Sequence, residues 1–141
     1  MPGKSENNNV EKAKKRLGNL ISKCRGTRMS QRQLAATVGL SPSNMKYIED
    51  GTNCPTADVY SKIVSTLNPT SKKRAEMDQA YMIIRNTPPP DVCDRVRKDP
   101  LLMNAIRVMD SAPLTESQAH QITTLFASFA LENSKGELHN G

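Results

Sequence analysis

Ser43, Asn44, Lys46 and Tyr47 crowd into five residues, interleaved with the apolar Met45 and Ile48. At helical spacing Met45 and Ile48 turn to one side and the polar four to the other. The chemistry this set offers is hydrogen bonding to flat polar edges. An Asn amide can hold adenine bidentately, a Lys ammonium can donate to guanine, and a Ser hydroxyl can serve either. Tyr47 also suits packing on a helix bundle, and Lys46 also suits a phosphate contact or a solvated position. Nothing comparable points to bond-making chemistry: there is no Gly-rich phosphate loop, nucleophile elbow or HExxH pattern. His120, beside an apolar stripe, reads as structural, and His139 sits in a polar tail. Asp91, Asp94 and Asp99 are spaced as surface and capping residues, not as a metal set. An enzyme is not expected, and no cofactor or metal is implied.

Local signals place these side chains. Ser41 is a good N-cap, and Pro42 takes the first helical position, where its missing N–H costs nothing. A helix is therefore expected over residues 42–49, ended by Gly51. Before it, Ser30 with Gln33 three residues on forms a capping box, opening a helix over 31–38 that Gly39 stops. Leu34, Ala35 and Val38 face inward there. Ala35 is small enough for two helices to approach closely, and Leu40, Met45 and Ile48 pin the second helix to the first. Two short helices joined by a tight glycine turn, with a polar outer edge on the second, make a helix-turn-helix.

The pattern Ser-Gln-x-x-Leu-Ala-x-x-Val-Gly-Leu-Ser from Ser30, followed by Ile48-Glu-x-Gly-x-x-x-Pro55, resembles the Cro/cI-type (XRE family) helix-turn-helix transcription regulators. The likeness covers about residues 17–67. It implies a lambda-repressor-like domain of five helices, with the second and third forming the DNA-reading unit, acting as a homodimer on a palindromic operator. Carried over by position, it makes Gln31 a phosphate clamp and sets Ser43, Asn44, Lys46 and Tyr47 at the major groove. It puts Thr52 and Asn53 in a loop that touches the DNA backbone. Arg32 and Ser41 complete the expected contact set at the two helix starts, where N–H groups favour phosphate. Two departures stand out. Pro42 occupies a position that is polar and base-reading in many relatives. Arg25 lies one residue closer to Ser30 than the family's first-helix Arg, which leaves its pairing with Glu49 open.

The rest of the chain supplies context. Of the net charge of +6, residues 1–32 carry +7, with nine Lys/Arg against Glu6 and Glu11, while residues 33–141 carry −1. A basic first third suits an anionic partner such as double-stranded DNA, and equally a solvated helix face. Cys24, Cys54 and Cys93 are odd in number and form no CxxC pair, so neither a disulfide framework nor a zinc site is expected. No apolar run approaches the roughly 20 residues of a membrane span, and the opening residues are polar, so a cytoplasmic protein is expected.

The patterning is all-α. A polar arm over 1–9 is expected to be disordered. A DNA-binding domain over 10–86 begins with a helix at 10–23, with Ala13, Leu17, Leu20 and Ile21 inward. It adds a helix capped by Thr56 and ending at Leu67, with stripe Val59, Ile63, Val64 and Leu67, and another over 71–85. Residues 87–90, with three prolines, read as a stiff extended linker. Beyond it a helical segment over 91–132 carries Leu102, Ile106, Met109, Ile122, Phe126 and Phe129, expected to supply homodimer contacts because short amphipathic helices cannot hide their faces alone. A flexible tail over 133–141 follows. The same C-terminal segment suits an alternative: a protein-binding module, such as an antitoxin, whose C-terminal half holds a partner protein while DNA binding provides autoregulation.

Overall fold

The computed structural model describes residues 3–109 and 111–139, with side chains given through residue 136. Expectations that fall on Met1, Pro2, Asp110, the His139 side chain and residues 140–141 lie outside the described residues.

Among the described residues every regular element is an α-helix: α1 (Lys4–Arg25), α2 (Gln31–Val38), α3 (Pro42–Glu49), α4 (Ala57–Leu67), α5 (Ser71–Arg85), α6 (Pro90–Arg97), α7 (Pro100–Arg107) and α8 (Glu116–His139). Side-chain caps fix most starts. Ser30 Oγ accepts the Gln33 N–H at 3.0 Å, while Gln33 Oε1 accepts the Ser30 N–H at 2.7 Å. Ser41, Thr56 and Thr70 cap α3, α4 and α5 in the same way. Gly39, at φ 77°, provides the left-handed residue that turns the chain from α2 into α3.

The chain divides into two compact units between Pro100 and Leu101. In the first, five helices enclose one core: Ala13, Leu17, Leu20 and Ile21 of α1; Leu34, Ala35 and Val38 of α2; Met45 and Ile48 of α3; Tyr60, Ile63, Val64 and Leu67 of α4; Met77, Ala80 and Tyr81 of α5. Close packing of α1 on the C-terminal end of α3 depends on two glycines. A methyl group on Gly18 would collide with the carbonyl oxygens of Ile48 and Glu49. One on Gly51, already at φ 80°, would lie 2.6 Å from Lys15 Cα.

Buried polar groups are paired. Arg25 Nη2 donates to Glu49 Oε1 at 2.9 Å and Nε to the same oxygen at 3.1 Å, while Nη1 donates to the Met29 carbonyl. The pairing left open by the spacing of Arg25 is thus formed. The rings of Tyr60 and Tyr81 stack with centroids 4.3 Å apart. The Tyr60 hydroxyl donates to Asp78 Oδ1 at 2.6 Å, and Arg74 bridges Asp78 on α5 to Asp91 on α6.

Three expectations change. Helix α1 begins at Lys4, not near residue 10, because the Gly3 carbonyl accepts from Glu6 and Asn7 and the Glu6 carboxylate returns to the Gly3 N–H. These polar, exposed residues add turns that apolar periodicity cannot register. The proline run is a corner inside the first unit. Pro89 is buried, Pro90 is the first residue of α6, and Cys93 Sγ donates to the Pro88 carbonyl at 3.3 Å. At the far end α8 runs through the residues expected to be a loose tail, up to His139.

The second unit is different in kind. A Thr115–Gln118 capping box opens α8, yet no described residue from 101 onward is buried. No helix among the described residues is long and apolar enough to cross a membrane.

Candidate nucleic-acid interface

The outer edge of α3 is built by what lies beneath it. Met45 is fully buried and Ile48 nearly so, and Leu40 packs on the same core from the preceding turn. Glu49, at the last turn, is tied to α1 through Arg25, with its carboxylate side chain only 3% exposed and the guanidinium 16%. The rotation of α3 is therefore set at both ends of a two-turn helix. Ser43, Asn44, Lys46 and Tyr47 are consequently held outward and are all exposed. Tyr47, at 47% exposure, does not pack into the bundle.

Gln31, half-buried, and Arg32, exposed, are the first two residues of α2. Their main-chain N–H groups belong to the first turn, which has no intrahelical acceptor. Ser41 Oγ accepts the Asn44 N–H at 3.2 Å, which leaves the hydroxyl proton to donate outward. Thr52 and Asn53 lie exposed in the turn after α3. Asn44 and Asn53 line a common cleft of about 230 Å³ with Leu40, Ile48, Cys54, Pro55, Thr56 and Val59.

The polar side chains of this edge are not used inside the fold. Among the described residues, the side chains of Gln31, Arg32, Ser43, Asn44, Lys46, Tyr47, Thr52 and Asn53 make no hydrogen bond or ion pair within the chain. Two arginines outside this edge are instead spent within the fold. Arg28 donates to the Leu67 carbonyl at 3.0 Å, and Arg85 to the carbonyls of Cys54 and Pro55. An edge rich in unspent donors and acceptors can take polar ligands without first breaking internal bonds.

Sequence reasoning missed Lys14 and Lys15 as neighbours of the turn after α3. The Lys15 backbone and Cγ lie against Gly51. The Cys54 thiol is pushed up by burial, against which the charges of Arg85 and Lys14 pull it down. Both lysines had been part of an undifferentiated basic run.

The expected dimer residues all belong to the second unit. Leu102 and Ile122 are half-buried, while Ile106, Met109, Phe126 and Phe129 are exposed, and the two Phe rings of α8 lie 6.4 Å apart. No protein-family model, curated protein or solved structure matches this chain.

Proposed function

We propose that the protein is a sequence-specific double-stranded DNA-binding transcription regulator of the Cro/cI-type class, with α1–α5 as its lambda-repressor-like domain. In this reading α3 enters the major groove, Asn44 and Lys46 meet base edges with Ser43 and Tyr47 beside them, and Gln31, Arg32, Ser41, Thr52 and Asn53 grip phosphates. The observation that carries it is the contrast on α3: an inner face locked by Met45, Ile48 and the Arg25–Glu49 pair, and an outer face with every polar side chain exposed and unspent. Rigid donors held clear of the core are what base readout requires.

Selection of bound sites from a random duplex pool tests this. The expected result is a two-fold-symmetric consensus with half-sites about 34 Å apart. Replacing Asn44 by Ala should cost about 1–3 kcal/mol on that site and relax preference at one base pair, whereas Gln31→Ala should weaken all sequences alike. Equal loss for Asn44→Ala on selected and random DNA removes Asn44 from base reading. Absence of any enriched sequence at moderate salt ends the proposal.

The exposed apolar side chains of α7 and α8 favour a protein contact as well. Homodimerisation through Leu102, Ile106, Met109, Ile122, Phe126 and Phe129 is the simpler form and suits a repressor on a palindrome. Capture of a different protein, as by an antitoxin, is the second reading. Sedimentation of the full chain with Phe126→Asp separates them. A shift from dimer to monomer supports homodimerisation, and a wild-type chain that sediments as a monomer supports the second reading.

A further inference from the structure

The turn after α3 is expected to touch the DNA backbone, yet it lacks the usual means of doing so. Its main-chain donors are already committed: the N–H groups of Thr52 and Asn53 both donate to the Tyr47 carbonyl, at 2.9 and 3.2 Å. It holds no cation of its own, and it follows the acidic Asp50. Thr52 and Asn53 can offer a hydroxyl and an amide, but neutralising a phosphate requires a positive charge from elsewhere.

From these facts, and resting on the DNA-binding reading above, we infer that Lys15 of α1 completes this turn as a composite phosphate-binding site with Thr52 and Asn53. Its backbone is the part of α1 that lies against Gly51, one residue before Thr52. Its side chain is exposed and makes no ion pair among the described residues, and its ammonium rides on a flexible four-carbon stem. The adjacent cation is less available: Lys14 pairs with Glu11 at 3.4 Å and its side chain is only 24% exposed. The close approach that Gly51 permits therefore does more than pack two helices. It brings a free charge from the first helix to a turn that has none. The ligand is a backbone phosphate, so the contact strengthens binding without reading sequence.

The test uses the full-length chain with Lys15→Gln, which keeps the Cγ that lies against Gly51, alongside Lys15→Arg and the exposed α5 residue change Lys72→Gln. Affinities for the selected duplex and for a random duplex are measured across a salt series. Lys15→Gln should lower the slope of log K against log salt by about 0.9, the share of one phosphate on B-DNA. Its affinity loss should be the same factor on both duplexes. Lys15→Arg and Lys72→Gln should keep the wild-type slope. An unchanged slope for Lys15→Gln, or a loss confined to the selected duplex, overturns the assignment. Failure of the wild-type chain itself to bind either duplex overturns the parent reading, a result visible before any variant is made.

Discussion

The two units of this chain spend the same kinds of residue in opposite ways. The first hides sixteen hydrophobic side chains, all between Ala13 and Tyr81, behind five helices. The second has both Phe residues of the protein, with Leu101, Ile106, Val108, Leu125 and Leu131, and leaves them exposed. Amphipathic helices are common to both. What differs is the number of elements that converge, since a helix buries its apolar stripe only when others close over it. One unit has the means to be rigid, as a surface that holds side chains in fixed positions must be. The other leaves apolar area facing water, at a cost in free energy that burial would relieve.

The sharpest way to break this comparison is to delete matched apolar groups. Leu34→Ala empties a fully buried site and should cost about 3 kcal/mol in chemical denaturation. Phe126→Ala, at a side chain half exposed, should change that same unfolding transition by less than about 0.5 kcal/mol. Similar losses from the two would overturn the contrast between a buried and an exposed apolar set.

A comparable contrast holds for charge. Glu49→Gln would leave the Arg25 guanidinium largely buried without its carboxylate and should cost about 3 kcal/mol. Arg97→Gln on α6, which breaks the exposed pair with Asp94, should cost under about 0.5 kcal/mol. If the proposed DNA-binding function holds, the first variant, which frees the last turn of α3, should also weaken binding on every sequence. A stability loss for Glu49→Gln no larger than that for Arg97→Gln would show that the ion pair does not hold α3 in place.

How far the sequence disclosed this arrangement follows from the range over which each determinant acts. Caps are local, so Ser30 with Gln33, Ser41 with Pro42, and Thr56 announced three helix starts. The outer edge of α3 was equally legible, since Met45 and Ile48 fix its inner face by spacing alone. Determinants acting across the fold were not. The α4 stripe was expected to include Val59, which packs half-buried against the core, but Tyr60, fully buried beside it, was missed. Tyrosine can occupy that place only because Asp78, eighteen residues on, accepts its hydroxyl. Likewise the meeting of Lys15 with Gly51 leaves no local trace. Polar helical turns at 4–9 escaped notice because periodicity reports burial, and nothing there is buried.

The smallest effect concerns where the packed unit ends, since α6 has no buried residue of its own and is joined to it by the chain Tyr60–Asp78–Arg74–Asp91. Burial first, then the hydrogen bond to Asp78, raises the Tyr60 phenol well above its ordinary value of 10.0. Above pH 10 the unfolded chain releases this proton while the folded chain retains it. The associated stability is therefore complete below pH 10 and declines as pH rises beyond it. Tyr60→Phe removes both the proton and the hydrogen bond. At pH 7 it should cost about 1 kcal/mol, because Asp78 keeps Arg74 as a partner and is not left unpaired. Between pH 10 and 12 the variant should lose stability less steeply than the wild type, though Tyr81, also raised by burial, will keep some slope in both. Parallel curves from urea unfolding at pH 8 to 12 would mean that Tyr60 exchanges its proton as readily folded as unfolded. The link between α4 and α6 would then be open to water, and the packed unit would end at α5.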